Sequence, residues 1–201
     1  MLENEDKIVE KAKNGDNQAM AKLVNEYHDR IYHLGLSMLK QEQDAEDMLQ
    51  ETFLTLVEKI HQFRGNSSIY TWLYRIATNI ALKKLKSKPR KYPHIPIEEP
   101  DLKKIHVEET KEEMEFDFEK VNNHKFREIL NEKLDELPPK YKTVFILRDL
   151  HNLSTRETAN ILDLTESNTK VRLFRARNYL KESLEKLQKE VFRFWVDHGQ
   201  E

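Results

Sequence analysis

The sequence predicts an all-α protein of two small helical domains joined by a flexible linker, the C-terminal domain being a helix-turn-helix. Three observations carry that prediction. Apolar residues recur at three- and four-residue steps through most of the chain, with no alternating β pattern of useful length. Glycine and proline are scarce, 4 and 6 of 201 residues, and four of the prolines sit in the single stretch SKPRKYPHIPIEEPD. A capping box, Ser154-Thr155-Arg156-Glu157, opens a short amphipathic run that a turn separates from a longer one.

The first helix is expected over Glu5 to Lys13, stopped by the Asn14-Gly15-Asp16 turn signal. A long amphipathic helix follows, its apolar side made by Ala19, Leu23, Tyr27, Ile31, Leu34, Leu36, Met38 and Leu39. The next stripe, Ala45, Met48, Leu49, Thr52, Phe53, Leu56, Val57 and Ile60, packs against it, while Glu46, Asp47, Gln50, Glu51, Leu54, Thr55 and Glu58 face the other way. That second face, acidic with a leucine among its charges, is either solvated or a dock for a basic partner. A Gly/Asn/Ser turn leads to a helix from about Ser68 to Lys86, with Ile69, Trp72, Leu73, Ile76, Ala77 and Ile80 inward. At 100° per residue, Arg75, Asn79, Leu82 and Lys86 then share one flank. An amide among cations can bond a base edge while its neighbours hold phosphates. Tyr70, Trp72 and Tyr74 either offer rings to an unstacked base or close the helical core.

From Ser87 the periodicity stops. Lys83, Lys84, Lys86, Lys88, Arg90 and Lys91 form a basic cluster, and the segment from Glu98 to Glu119 is strongly acidic. A linker of this composition cannot bury enough apolar surface to fold alone. Helical spacing returns with Phe126, Ile129, Leu130, Leu134 and Leu137, and after Pro138-Pro139 with Tyr141, Val144, Phe145 and Leu147. After the capping box, Asp163 stands at the turn, where a left-handed backbone is expected, and Thr165 caps the next helix. In that helix Thr169, Leu173, Ala176 and Leu180 face inward. Ser167, Asn168, Lys170, Val171, Arg172 and Arg175 are left largely outward, a set suited to the major groove. The stripe continues through Leu184, Leu187, Val191 and Phe194, which extends the last helix. Phe192, Phe194 and Trp195 gather near its end, either folded back on the protein or covered by a partner.

Composition sets further bounds. Lys plus Arg, 34, nearly balances Asp plus Glu, 36, so any nucleic-acid affinity comes from local patches. The absence of cysteine excludes disulfides and thiolate metal sites. The eight histidines have no metal-ligand spacing, there is no phosphate-binding glycine loop, and no catalytic constellation emerges, so neither an enzyme nor a cofactor or metal is expected. The charged start of the chain lacks the apolar core of a signal peptide, and no run reaches the ~18 apolar residues of a membrane span. The expectation is a soluble cytoplasmic protein without membrane insertion.

Two blocks carry a resemblance. DAEDMLQETFL with FRGNSSIYTWLYRIATN resembles the domain of bacterial sigma factors that binds core RNA polymerase and opens the promoter, and LPPKYKTVFILRDLHNLSTRETANILDLTESNTKVRLFRARNYL resembles their C-terminal helix-turn-helix. With only a linker between the blocks, the match is to the extracytoplasmic-function (ECF, group IV) class of the sigma-70 family. The resemblance implies a core-binding and minus-ten domain over 1–86, a linker over 87–121, a minus-thirty-five domain over 122–187 and an aromatic tail over 188–201. It implies that Asp47, Gln50 and Glu51 meet the beta-prime clamp of the polymerase. Phe63, Arg64, Asn66, Ser67, Tyr70, Thr71, Trp72, Arg75, Asn79 and Lys86 would serve the minus-ten element, and Ser167, Asn168, Lys170, Val171, Arg172 and Arg175 the minus-thirty-five element. Implied partners are core RNA polymerase, through the beta-prime clamp and beta flap, promoter DNA, and an anti-sigma factor. The linker would thread the channel later used by RNA. Thr158 and Thr169 depart from the aliphatic residues usual there and should soften the packing. The competing readings are a helix-turn-helix regulator acting without polymerase and a helical protein–protein adaptor.

Overall fold

In the computed structural model the backbone is described for residues 4–87 and 124–198, and side chains for 4–87 and 128–184. Among the described residues there are eight α-helices and no strand: α1 (Glu5–Lys13), α2 (Asn17–Leu39), α3 (Glu42–Lys59), α4 (Ile69–Ser87), α5 (His124–Glu136), α6 (Pro139–Phe145), α7 (Thr155–Leu162) and α8 (Glu166–His198). The all-α expectation holds, and the first helix begins and ends where its charges and turn residues place it.

Local chemistry explains the boundaries. Glu5 and Asp6 in the first turn of α1, with Lys11 and Lys13 in the last, complement the helix dipole. Gly15, at φ +86, closes the helix, its amide and that of Asp16 donating to the carbonyls of Ala12 and Lys11. Asp16 then caps α2, its carboxylate accepting from the amides of Gln18 (2.9 Å) and Ala19 (3.1 Å). The hydroxyl of Tyr27 donates to Glu5 and ties α1 to α2. A 3-10 turn, Ile60–Gln62, follows α3. Ser68 caps α4 by accepting from the amide of Thr71 at 3.1 Å. At Gly35 the α2 backbone runs so close to α3 that a Cβ would stand 3.0 Å from Ala45 Cβ and 2.9 Å from Met48 Cε.

The chain divides into two compact units, Met1–Arg90 with Ile146–Thr169, and Lys91–Phe145 with Lys170–Glu201. In the first, Leu23, Tyr27, Ile31, Leu34, Met48, Leu56, Leu73, Tyr74 and Ala77 form a buried cluster that also takes in Ile146, Leu147, Leu153 and Ile161. Packing thus groups the first half of the helix-turn-helix with the N-terminal helices, whereas the order of segments along the chain divides them at the linker. The reason is hydrophobic: those four side chains are almost fully buried in that cluster.

The second unit buries Leu130, Leu134, Leu137, Tyr141, Val144 and Phe145 with Leu173, Ala176 and Leu180. Lys142, itself buried, donates to Asp135 at 2.6 Å, and the Tyr179 hydroxyl donates to Glu136 at 2.6 Å. Burial and that carboxylate push the Tyr179 phenol up to about 12. Between α6 and α7 the chain makes a π-helical turn, Ile146–Leu150, and the Arg148 guanidinium donates to the Leu153 carbonyl. The last helix continues past the helix-turn-helix to His198, as its spacing predicts. The side chains of Phe192, Phe194 and Trp195, and the expected linker, lie outside the described residues.

Candidate functional site

The outward face of α3 is open. Asp47, Gln50 and Glu51 are all exposed, and Leu54 beside them is 64% exposed. Val57, expected in the buried stripe, is 56% exposed instead. It lies about 100° around the helix from Leu56, off the buried line of Leu49, Leu56 and Ile60. The correction enlarges the apolar part of the acidic face from one residue to two. Asp47 is not idle: Lys84 of α4 donates to it at 2.9 Å and Gln43 at 3.4 Å. The Lys84 hydrogen bond, more than any other contact, holds the Asp47 carboxyl below its usual range.

The residues expected at a minus-ten site fall into three groups. Arg64 and Asn66 are exposed in the turn before α4, with Gly65 at φ +73, and Asn79 and Lys86 are exposed on α4 itself. Phe63 and Trp72 are half-buried and meet with ring centroids 5.6 Å apart. Ser67 is half-buried, its hydroxyl donating to the Ser68 carbonyl at 3.3 Å. Tyr70 and Thr71 face the protein. Thr71 is buried and shares a hydrogen bond of 2.9 Å with Ser68, so its hydroxyl belongs to the helix cap. Tyr70 stands in a ring series with Tyr27 at 6.1 Å and Tyr74 at 4.4 Å, with Arg30 5.7 Å over its face. Of the three aromatics, Tyr74 is buried in the core, and Tyr70 and Trp72 are both half-buried against it. Burial raises both tyrosine phenols above their ordinary value.

Arg75 holds a contact that no local pattern announces: its guanidinium donates to the Asp163 carboxylate at the end of α7. Nearby, Tyr74 and His151 Nδ1 share a hydrogen bond of 3.1 Å, and His151 Nε2 lies 3.3 Å from Ser37 Oγ of α2. Burial, with His33 nearby, lowers the imidazole to about 4, so it is neutral at ordinary pH.

The helix-turn-helix forms as its sequence predicts. Ser154 and Glu157 make the reciprocal capping box. Asp163 adopts the left-handed conformation at φ 53, ψ 45, and Thr165 accepts from the Asn168 amide at 3.1 Å. Thr158, Ala159 and Thr169 are buried. The Thr169 hydroxyl donates to the Thr165 carbonyl at 3.0 Å, but the Thr158 hydroxyl has no partner among the described residues. On α8, Ser167 and Lys170 are exposed, and Asn168 and Arg172 are half-buried. Val171 is a second correction: expected outward, it is only 5% exposed. It shares a flank with Arg175, four residues on, and there Arg175 donates to the Tyr141 hydroxyl at 3.2 Å while its Nε is buried. That flank is covered, which leaves the face of Ser167, Lys170 and Phe174 open. Phe174, exposed and absent from the expected set, could have been found by counting one turn on from Lys170.

Among the described residues no cluster of His, Asp and Glu could hold a metal ion, and no helix is long and apolar enough to cross a membrane. The geometry offers binding faces: an acidic and apolar one on α3, a basic one with an amide on α4, and a polar helix start on α8.

Comparison with known proteins gives the family of two regions of the chain. Residues 23–91 match the family model described as Sigma-70 region 2, and residues 127–180 match Sigma-70, region 4. The chain is therefore a sigma-70 family factor for transcription initiation, DNA-binding by family and of a class that works as a transcription factor rather than a known enzyme. Within that family it belongs to the extracytoplasmic-function (ECF) sigma factors. It is 31% identical to the ECF RNA polymerase sigma-E factor of Haemophilus influenzae over 90% of this chain and 95% of the relative, and 31% identical to the ECF RNA polymerase sigma factor SigW of Bacillus subtilis over 90% and 97%. It is 28% identical to the RNA polymerase sigma-H factor of Pseudomonas aeruginosa over 94% and 98%. Its fold is similar to that of CnrH, solved in complex with the cytosolic domain of CnrY, with a TM-score of 0.63 at 19% identity over 89% of this chain and 96% of the other. It is also similar to that of the sigma factor RpoE from Bartonella quintana, solved with the anti-sigma factor NepR, with a TM-score of 0.58 at 18% identity over 82% and 96%.

Proposed function

We propose that this sigma factor joins core RNA polymerase through the outward face of α3 and reads promoters with α4 and α8. Segment 1–86 binds core and the minus-ten element, 87–121 links, 122–187 reads the minus-thirty-five element, and 188–201 is a tail. The observation that carries the reading is the exposed set Asp47, Gln50, Glu51, Leu54 and Val57 on one helix face, acidic at its rim and apolar within it, as a docking surface requires. On the DNA side, Arg64, Asn66, Asn79 and Lys86 offer exposed amides and cations. A displaced base would rest against the Phe63–Trp72 pair, the held base offsetting a few kcal/mol of unstacking. On α8, Ser167 and Lys170 hold the duplex while Phe174 offers an apolar surface to a thymine methyl. An anti-sigma factor is a further partner, since both structural neighbours were solved with such partners or a partner's cytosolic domain.

The test is transcription by core polymerase plus the purified chain on a panel of promoter fragments, with permanganate footprints of the melted strand. Specific initiation is the expected result. DNA binding without polymerase-dependent initiation would replace this reading with that of a free regulator.

A further inference from the structure

The lysines that close α4 do not act as one patch. Lys83 and Lys86 are exposed, whereas Lys84 reaches across to α3, where its ammonium donates to Asp47 at 2.9 Å and stands 3.7 Å from Asp44. Asp44 and Asp47 lie three residues apart on α3, which puts both carboxylates on the same side of that helix. Met48, Ile80 and Ala81 are buried in the cluster that packs the two helices together, so the point where Lys84 leaves α4 is fixed. Gln43 donates to the other oxygen of Asp47 at 3.4 Å. An ionised carboxylate offers about four acceptor positions. With Lys84 on one oxygen and Gln43 on the other, Asp47 is held in one orientation and keeps an acceptor position on each oxygen for a partner.

We propose that Lys84 is a positioning residue for the polymerase contact: from α4 it fixes the Asp47 carboxylate on the outward face of α3, aimed at a cation of the partner. The inference rests on the reading of that face as the dock for core polymerase. Charge decides whether Lys84 holds Asp47 or cancels it. Two carboxylates share one ammonium, so the group of Asp44, Asp47 and Lys84 keeps one negative charge in excess. Exposure decides where that charge shows: the side chains of Asp44 and Lys84 are 17% and 24% exposed, that of Asp47 49%. The inner acid answers the lysine, and the outer acid is left to the partner. Without Lys84 the two like charges would repel and Asp47 would sample several rotamers, one of which docking would then have to freeze.

A double-mutant cycle on the full chain tests it, with the affinity for core RNA polymerase measured by titration of fluorescein-labelled protein. Lys84→Met keeps the stem and removes the ammonium, and should raise Kd about two- to tenfold, the cost of ordering one side chain on docking. Lys84→Arg keeps a charged donor and should return Kd to within about twofold of wild type. In an Asp47→Asn background Lys84→Met should cost nothing further, because both changes act through one carboxylate. Lys22→Met, an exposed cation on α2, controls for net charge and should leave Kd unchanged. The sign of the effect discriminates as well: a lysine that merely cancelled Asp47 would, once removed, leave a more acidic face that binds a basic partner more tightly. Unchanged or tighter binding by Lys84→Met, a further loss in the Asp47→Asn background, no rescue by Lys84→Arg, or normal binding by Asp47→Asn would each overturn the assignment while leaving the sigma reading intact. A wild-type chain that itself fails to bind core would overturn both.

Discussion

Helices α4 and α8 each carry an arginine on the flank expected to meet DNA, and each arginine is tied down, yet the ties differ in kind. Arg75 is held at the surface by a carboxylate that is itself mostly in water. Arg175 is half-buried and bonded to the Tyr141 hydroxyl, with Nε buried and no partner for it among the described residues. A surface ion pair between two charged groups is a competitor for a phosphate and can be displaced. A guanidinium whose Nε is buried and whose head bonds a neighbouring phenol is tied into the packing. The same residue type is therefore tied by an exposed ion pair on one helix and by a partly buried hydrogen bond on the other.

The largest expected effect concerns the α4 side, where Tyr74 shares a hydrogen bond with the buried ring of His151. His151 is neutral in the folded chain with its imidazole at about 4, against 6.5 when exposed. Its folded pKa is depressed, so the full stability is present above pH 6.5. Below that value the unfolded chain takes up the proton first, and stability falls as the pH drops through 4. The total is about 3 kcal/mol, with roughly 2 kcal/mol gone by pH 5. Denaturant titrations of wild type and His151→Gln at pH 7 and pH 5 measure it as the difference in acid sensitivity. An identical fall in both proteins would mean that other groups, not His151, govern acid loss.

Next in size is the direct contrast between the arginines. Arg175→Ala should lower stability by about 1–2 kcal/mol, through the lost bond to Tyr141 and the lost packing of its stem. Arg175→Met should recover most of that by keeping the stem. Arg75→Ala should stay within about 0.5 kcal/mol of wild type while weakening DNA contact. Thermal melts of the three variants decide the matter. Equal melting of Arg75→Ala and Arg175→Ala would erase the distinction drawn between the helices.

Both sites show where a sequence is legible. The spacing of apolar residues, the caps at Asp16, Ser154 and Thr165, and the left-handed Asp163 are local facts, and the chain settles them within a few residues. The inward set of α8, Thr169, Leu173, Ala176 and Leu180, is buried as read. Periodicity says which face is apolar but not how wide a face the neighbouring elements will cover. Periodicity places Val57 in a stripe wider than the fold covers, and Val171 on a surface that the fold buries. The pairs Arg75–Asp163, Lys84–Asp47 and Tyr74–His151 join residues 88, 37 and 77 positions apart, and nothing within one helix turn encodes them. The candidate site was legible as a set of residue types on faces. Which members are free to act came only with the packing.

The smallest expected effect extends the contrast to two threonines that sequence alone treats alike. Thr158 and Thr169 are both fully buried near the turn of the helix-turn-helix. The Thr169 hydroxyl returns its hydrogen bond to the Thr165 carbonyl, so replacing it by valine exchanges a satisfied polar group for a methyl of the same shape, and stability should hardly move. The Thr158 hydroxyl is buried without a partner among the described residues, and α7, which carries it, packs on α4. Removing an unsatisfied buried group while keeping the β-branched shape recovers its desolvation cost, so Thr158→Val should gain about 1 kcal/mol. Because Thr158 lies within α7, the gain should also slow amide exchange over 155–163. Thr169→Val should leave exchange there unchanged. A Thr158→Val protein no more stable than wild type would mean that the hydroxyl is satisfied in solution, by a water or a shifted rotamer, and that the α7–α4 contact is wetter than its burial implies.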